Sequence, residues 1–149
     1  MNIKDYTNDE QQYMQYIEEK AYIDPRKEVK YPPIALSMGN FKAGSETYPI
    51  PIGTYGNFSF VCAPPKSKKT FFVSLLSAVY LRDKLNSHAK GMLGHRDGRC
   101  LVHFDTEQGR FHAHKVFRRV VDMTGMDNQC YHTFGLRTLN NKDRLNFQM

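Results

Sequence analysis

A chain of 149 residues suits one domain of ordinary size with its own core, so neither disulfides nor metals are required to hold it together. Lys and Arg number 21 against 15 acidic residues, a net charge of +6 that suits polyanionic partners but is also ordinary for a soluble protein. No apolar run reaches the roughly 18 residues of a membrane span, and Met1-Asn2-Ile3-Lys4-Asp5 lacks a signal-peptide layout, so a soluble cytoplasmic protein with no membrane partner is expected.

From the N-terminus, Tyr13, Tyr16, Ile17 and Ala21 fall at helical spacing between about Asn8 and Lys20. They predict an amphipathic helix that ends before Asp24-Pro25, within a polar, solvated extension over residues 1–30. Residues 31–149 form the second part. Tyr31-Pro32-Pro33 opens an extended segment, and Ile34–Ser37 and Thr47–Ile52 read as two short strands joined by a turn through Met38–Gly44. Gly53 and Gly56 then bend the chain into Phe58–Ala63, whose lack of alternation predicts a central strand covered on both faces.

A polar loop follows, closing on Lys69-Thr70, and an apolar helix is expected from Thr70 to about Leu85. Residues 86–99, with His88, His95 and three glycines, predict an exposed loop or small hairpin. Arg99–Gln108 reads as a second buried strand ending in acidic and amide groups, with capping-box spacing from Asp105 to Gln108. The next helix, about Gly109 to Met123, carries Ala113, Val116, Phe117 and Val120 on one face, and Gly125 ends it. Cys130–Gly135 predicts a third strand, and a helical segment begins at Asn141. Of the three cysteines, Cys62, Cys100 and Cys130, two lie in apolar runs and are expected as reduced core thiols.

Alternating strands and helices imply an α/β fold with a mostly parallel sheet, in which ligands bind beyond the carboxyl ends of the strands. Both conspicuous polar clusters, 63–70 and 105–108, fall at such ends and can face one crevice. A strand, a loop closing on Lys-Thr and then a helix is the layout of a phosphate-binding loop. In the spacing Gly-x4-Gly-Lys-Ser/Thr, Ala63 and Lys68 stand where the two glycines would be.

On this reading Ala63, Pro64, Pro65, Lys66, Ser67, Lys68, Lys69 and Thr70 surround the phosphates of a nucleoside triphosphate. Lys69 would contact the β and γ phosphates, Lys66 and Lys68 would add to the positive field, and Thr70 would bind Mg2+. Glu107 would orient or deprotonate the attacking water, and Asp105 would be a magnesium-side carboxylate. The bland alternative leaves the lysines solvated and makes Thr70, Asp105 and Glu107 helix caps. A zinc site is not expected. His112 and His114 sit two apart on a helix and diverge, and Cys100 and His103 lie on opposite strand faces. Arg110, Arg118 and Arg119 could contact DNA phosphates or a neighbouring subunit's nucleotide, or simply form a solvated helix face.

Three stretches carry a resemblance: Gly53-Thr54-Tyr55-Gly56-Asn57-Phe58-Ser59-Phe60, then Lys66-Ser67-Lys68-Lys69-Thr70-Phe71, then Val102–His112 through Asp105-Thr106-Glu107-Gln108. Together they resemble RecA-fold ATPases of Bacteroidetes mobile elements, similar to the RepA-like hexameric helicase branch and often found beside primase modules. The resemblance spans roughly residues 31–140. It implies an incomplete RecA-like P-loop domain that binds ATP and Mg2+, with Glu107 as the catalytic carboxylate. It also implies a homo-hexameric assembly and single-stranded DNA as a partner. Lys-Ser-Lys-Lys-Thr is a common loop ending in that family, whereas Ala63 departs from its glycine. The family's Walker B strand has no counterpart before Met149, so the expectation is a fragment or truncated copy that by itself binds nucleotide weakly and hydrolyses it poorly. The rival class is a non-enzymatic nucleic-acid- or partner-binding α/β module whose lysine loop contacts phosphodiester.

Overall fold

The computed structural model describes residues 7–82, 89, 91–125 and 129–148. The chain divides into two compact units, 1–31 and 32–149. The first contains α1 (Asn8–Ala21), whose N-terminus is closed by a reciprocal pair. The Thr7 hydroxyl accepts from the Glu10 amide, and the Glu10 carboxylate accepts from the Thr7 amide at 2.8 Å. Two of the amides that a helix start leaves without partners are satisfied in this way.

In the second unit, β1 (Ile34–Ala43) and β2 (Glu46–Thr54) form an antiparallel hairpin. The strands run farther than the sequence suggests, because Met38–Gly44 is not a connection. Gly39 takes φ 70° beside a register shift in β1, so its turn signal marks a bulge inside the strand. The actual turn is Gly44-Ser45, with Gly44 at φ 64° in its first position.

β3 (Met92–Gly94) joins the other edge of β1, giving the antiparallel order β2-β1-β3. The expected exposed loop over 86–99 is therefore in part a buried strand, while residues 83–88 and 90 lie outside the described residues. Glycine content reads locally as a loop, but Gly94 has a packing role. Its missing side chain lets β3 lie directly on the backbone of α2 (Lys69–Arg82). Polar contacts tie the same junction. The Ser37 hydroxyl bonds His95 Nε2 at 2.8 Å, and the Tyr55 hydroxyl reaches the His95 carbonyl at 2.8 Å and the Tyr80 hydroxyl at 2.9 Å. Burial, and then the Tyr55 contact, push the Tyr80 phenol upward.

β4 (Leu101–Asp105) and β5 (Tyr131–Gly135) form a separate parallel pair. Between them runs α3 (Arg110–Thr124), closed by Gly125 in the left-handed region at φ 62°, whose amide donates to the Val121 carbonyl. Ala113, Val116 and Val120 are buried from α3, matching the face read from its periodicity. Val120 joins Ala78, Val79, Leu81, Ala89 and Met92 in the core, with Leu75, Leu101, Met123 and Tyr131 packed around them. On the outer side of the parallel pair, Phe104 stacks on Phe134, and Phe147 of α4 (Asn141–Gln148) meets both edge-on.

Two expectations are corrected. Phe58–Ala63 is not a strand but an irregular, exposed segment, with Phe58 83% and Phe60 82% accessible. A run apolar on both faces holds as a strand only under cover on both sides, and among the described residues no strand pairs with it. Without that central strand the fold is mixed α/β with two small sheets, of which only β4-β5 is parallel, rather than one mostly parallel sheet. The cysteines are not core thiols either. Cys62 lies in the irregular segment and is exposed, Cys100 is exposed just before β4, and Cys130 is half-buried just before β5. No helix among the described residues is long and apolar enough to cross a membrane.

Candidate phosphate-binding site

Lys69 and Thr70 open α2, and Asp105-Thr106-Glu107-Gln108 leave the carboxyl end of β4. These two groups line one cleft of about 300 Å3, with Val61, Val73, His103 and Val116 as its other principal walls. The two polar clusters thus meet as their position in sequence suggests, although the strand expected to lead into the first is missing.

The 63–70 loop is held by its own atoms. Lys69 Nζ donates to the Ala63 carbonyl at 2.7 Å and to the Pro64 carbonyl at 3.4 Å, spanning the loop from its end to its beginning. The Ser67 amide donates to the Pro64 carbonyl at 3.3 Å. Lys66 and Lys68 both take φ 63°. Lys68 occupies the second glycine position of the phosphate-loop spacing, and its backbone adopts the left-handed conformation that glycine accommodates without strain. A side chain there costs about 1–2 kcal/mol, partly offset in a glycine variant by the extra unfolded-state entropy. Lys68→Gly is therefore expected to stabilise the chain by about 0.5–1 kcal/mol in urea unfolding. Unchanged or lower stability would show that the loop relaxes to another conformation in solution.

Ala63, Pro64, Pro65, Lys66, Ser67 and Lys68 are exposed, and Lys69 is half-buried. Because α2 begins at Lys69, Thr70 lies within the first helical turn, past the capping position, and its side chain borders the cleft.

At the other wall, the capping-box expectation is revised. Asp105 is buried, and its Oδ1 accepts from the amides of Glu107 at 3.0 Å and Gln108 at 2.8 Å. It closes a turn that precedes α3, whose own cap is Gly109, with no side-chain bond. This turn places Glu107, itself exposed, at the cleft. No three His, Cys, Asp or Glu side chains converge as a metal cage among the described residues. Thr70 and Asp105 are oxygen-bearing side chains of one cleft and would be the protein ligands of a Mg2+ ion held mainly by phosphate oxygens and water.

His103 is a cleft residue that the sequence reading set aside. Residues 101, 103 and 105 turn inward along β4 while Val102 and Phe104 are exposed, so strand parity alone places His103 beside Asp105. Its Nδ1 bonds the Tyr131 hydroxyl at 2.9 Å, and its ring meets Phe117 edge-on. Burial pushes the imidazole below its ordinary range, with the Asp105 carboxylate pulling weakly the other way. Burial likewise pushes the Tyr131 phenol up to about 12.

The lowered imidazole makes the unfolded chain the stronger proton binder at His103. Its contribution to stability is present above the unfolded value near 6.5 and is lost as pH falls through the lower folded value. Denaturation midpoints measured at about pH 7.5 and about pH 5 are expected to drop less in His103→Gln than in the wild type. Equal drops would mean that His103 titrates alike in both states.

No known protein family, curated protein or solved structure matches the chain.

Proposed function

We propose that the cleft binds the phosphate end of a nucleoside triphosphate, ATP in the first instance, and that the chain is the nucleotide-binding part of a RecA-like ATPase serving replication or mobilisation of a mobile element. The supporting observation is that Lys69 and Thr70 share one cleft with Asp105 and Glu107. Its volume of about 300 Å3 lies at the small end of ligand sites, about 300–1,000 Å3, which suits a polyphosphate tail with the nucleoside outside.

Lys69 exchanges its carbonyl partners for phosphate oxygens, a stronger charge-assisted contact. The amides at the start of α2 face the same negative charge. Magnesium, when bound, neutralises charge developing on the phosphates. Thr70 and Asp105 would hold it there, and Glu107 would accept the proton of the attacking water. In the assembly that the resemblance implies, a homo-hexamer would couple this hydrolysis to movement along single-stranded DNA.

A second reading is favoured by one observation. Phe58 and Phe60 are almost fully exposed a few residues before Lys66 and Lys68, an aromatic and basic pairing on which single-stranded nucleic acid can stack. Calorimetric titration with ATP and magnesium separates the two. The expected result is saturable binding that EDTA removes and Thr70→Val weakens. Oligonucleotide binding indifferent to EDTA and to Thr70→Val, with no heat from ATP, would replace the nucleotide site with a nucleic-acid module.

A further inference from the structure

At the amino ends of β4 and β5, away from the cleft, two cysteines stand side by side. Leu101 pairs with Tyr131 in the parallel register, and the Leu101 amide donates to the Cys130 carbonyl at 2.7 Å. Cys100 and Cys130 are the residues immediately before that pair, so they occupy neighbouring positions at the starts of adjacent strands. Neighbouring strands lie about 4.8 Å apart, within the Cα separations of about 4.4–6.8 Å that a disulfide accepts. The two thiols are near enough to perturb each other's titration, and Arg96 acts on Cys130 as well. Cys100 is exposed and Cys130 half-buried, so small oxidants have access.

We propose that Cys130 and Cys100 form a peroxide-reactive dithiol that closes into a disulfide joining the starts of β4 and β5. Cys130 is the attacking sulfur. Contact with Cys100, and then with Arg96, holds its thiol below the usual range, while contact with Cys130 is the main influence pushing the exposed Cys100 thiol upward. The Cys130 thiolate attacks one oxygen of a hydroperoxide. The O–O bond breaks, the departing oxygen takes a proton and leaves as the alcohol, or as water from hydrogen peroxide, and Cys130 becomes a sulfenic acid. Cys100 sulfur then attacks the Cys130 sulfur, loses its proton and expels water, forming the S–S bond. Two thiols are oxidised by two electrons in all, and one hydroperoxide is reduced. The bridge closes a loop that contains β4, Asp105, Glu107 and the whole of α3, and it forms at the opposite end of β4 from the cleft.

Treatment of the purified, folded chain with hydrogen peroxide tests this. The expected product has lost two hydrogens per chain, yields a linked peptide containing Cys100 and Cys130, and leaves exposed Cys62 open to alkylation. In Cys100→Ser, a sulfenic acid trapped by dimedone should collect on Cys130, and Arg96→Gln should slow bridge formation about tenfold. A linkage through Cys62, or Cys130 oxidised with Cys100 left as a thiol in the wild-type chain, would overturn the assignment. The wild-type experiment does not depend on any variant folding, and its outcome is independent of whether ATP binds.

Discussion

Gly94→Ala is expected to destabilise the second unit by about 3 kcal/mol or more, a large share of the roughly 5–15 kcal/mol that holds an ordinary domain folded. A methyl group there would lie 2.5 Å from the Val79 carbonyl oxygen, 2.8 Å from Tyr80 Cα and 2.9 Å from the Tyr80 carbonyl oxygen. All three are backbone atoms of α2, so no rotamer change relieves the clash. Relief requires moving β3 away from α2, which opens the core at Val79 and Met92 and strains the Tyr55, Tyr80 and His95 contacts. Urea unfolding followed by circular dichroism reads the effect. A Gly98→Ala control separates this crowding from backbone strain, because Gly98 has φ 76° but nothing near its added methyl. A loss below about 1 kcal/mol for Gly94→Ala would mean that β3 does not sit against α2 in solution.

Lys69→Ala is expected to weaken magnesium–ATP binding about 10- to 100-fold, the equivalent of one hydrogen bond to a charged group at about 1.5–3 kcal/mol. The lysine is half-buried and, among the described residues, bonds loop carbonyls, so its removal should cost little fold stability. The variant therefore reports on the ligand rather than on folding. Equal affinity in wild type and variant, with both chains folded, would remove Lys69 from the site and leave the nucleotide reading without its central residue.

How far the sequence could be read depended on where each element's stabilisation comes from. The α3 stripe Ala113, Val116, Val120 and its stop at Gly125 are local patterns, and both are found as read. The strand identities of β4 and β5 followed from short apolar runs bounded by turn residues. Phe58–Ala63 carried an equally good apolar signal, yet strand formation needs a neighbour, and periodicity contains no information about which edge supplies one. Gly39 and Gly94 show the converse: each looks like a break in the chain, whereas one sits in a bulge and the other at a backbone contact formed by residues distant in sequence. At the cleft, the meeting of Lys69 with Asp105 and Glu107 was expected from two strand carboxyl ends, yet only β4 supplies one, and Lys69 reaches the cleft as the first residue of α2. His103 was legible too, through its two-residue offset from Asp105, but was judged only as a metal ligand. The Asp105 turn was not, since capping-box spacing cannot distinguish a helix cap from a turn just before the helix.

The pairing of β1 with β3 bears on the order in which the molecule assembles. The β1–β2 hairpin closes over two residues and can form within microseconds, as local hairpins do. Joining Met92 to Met38 encloses β2, the lysine loop and α2, so the loop-closure entropy of that whole stretch must be overcome before β3 contributes any contact. The same strand edge of β1 therefore waits, unpaired, until α2 has formed and can be carried in with it. During synthesis this interval begins when the hairpin leaves the ribosome and ends only after Gly94 has followed, which leaves the β1 edge open to pairing with the wrong partner throughout it.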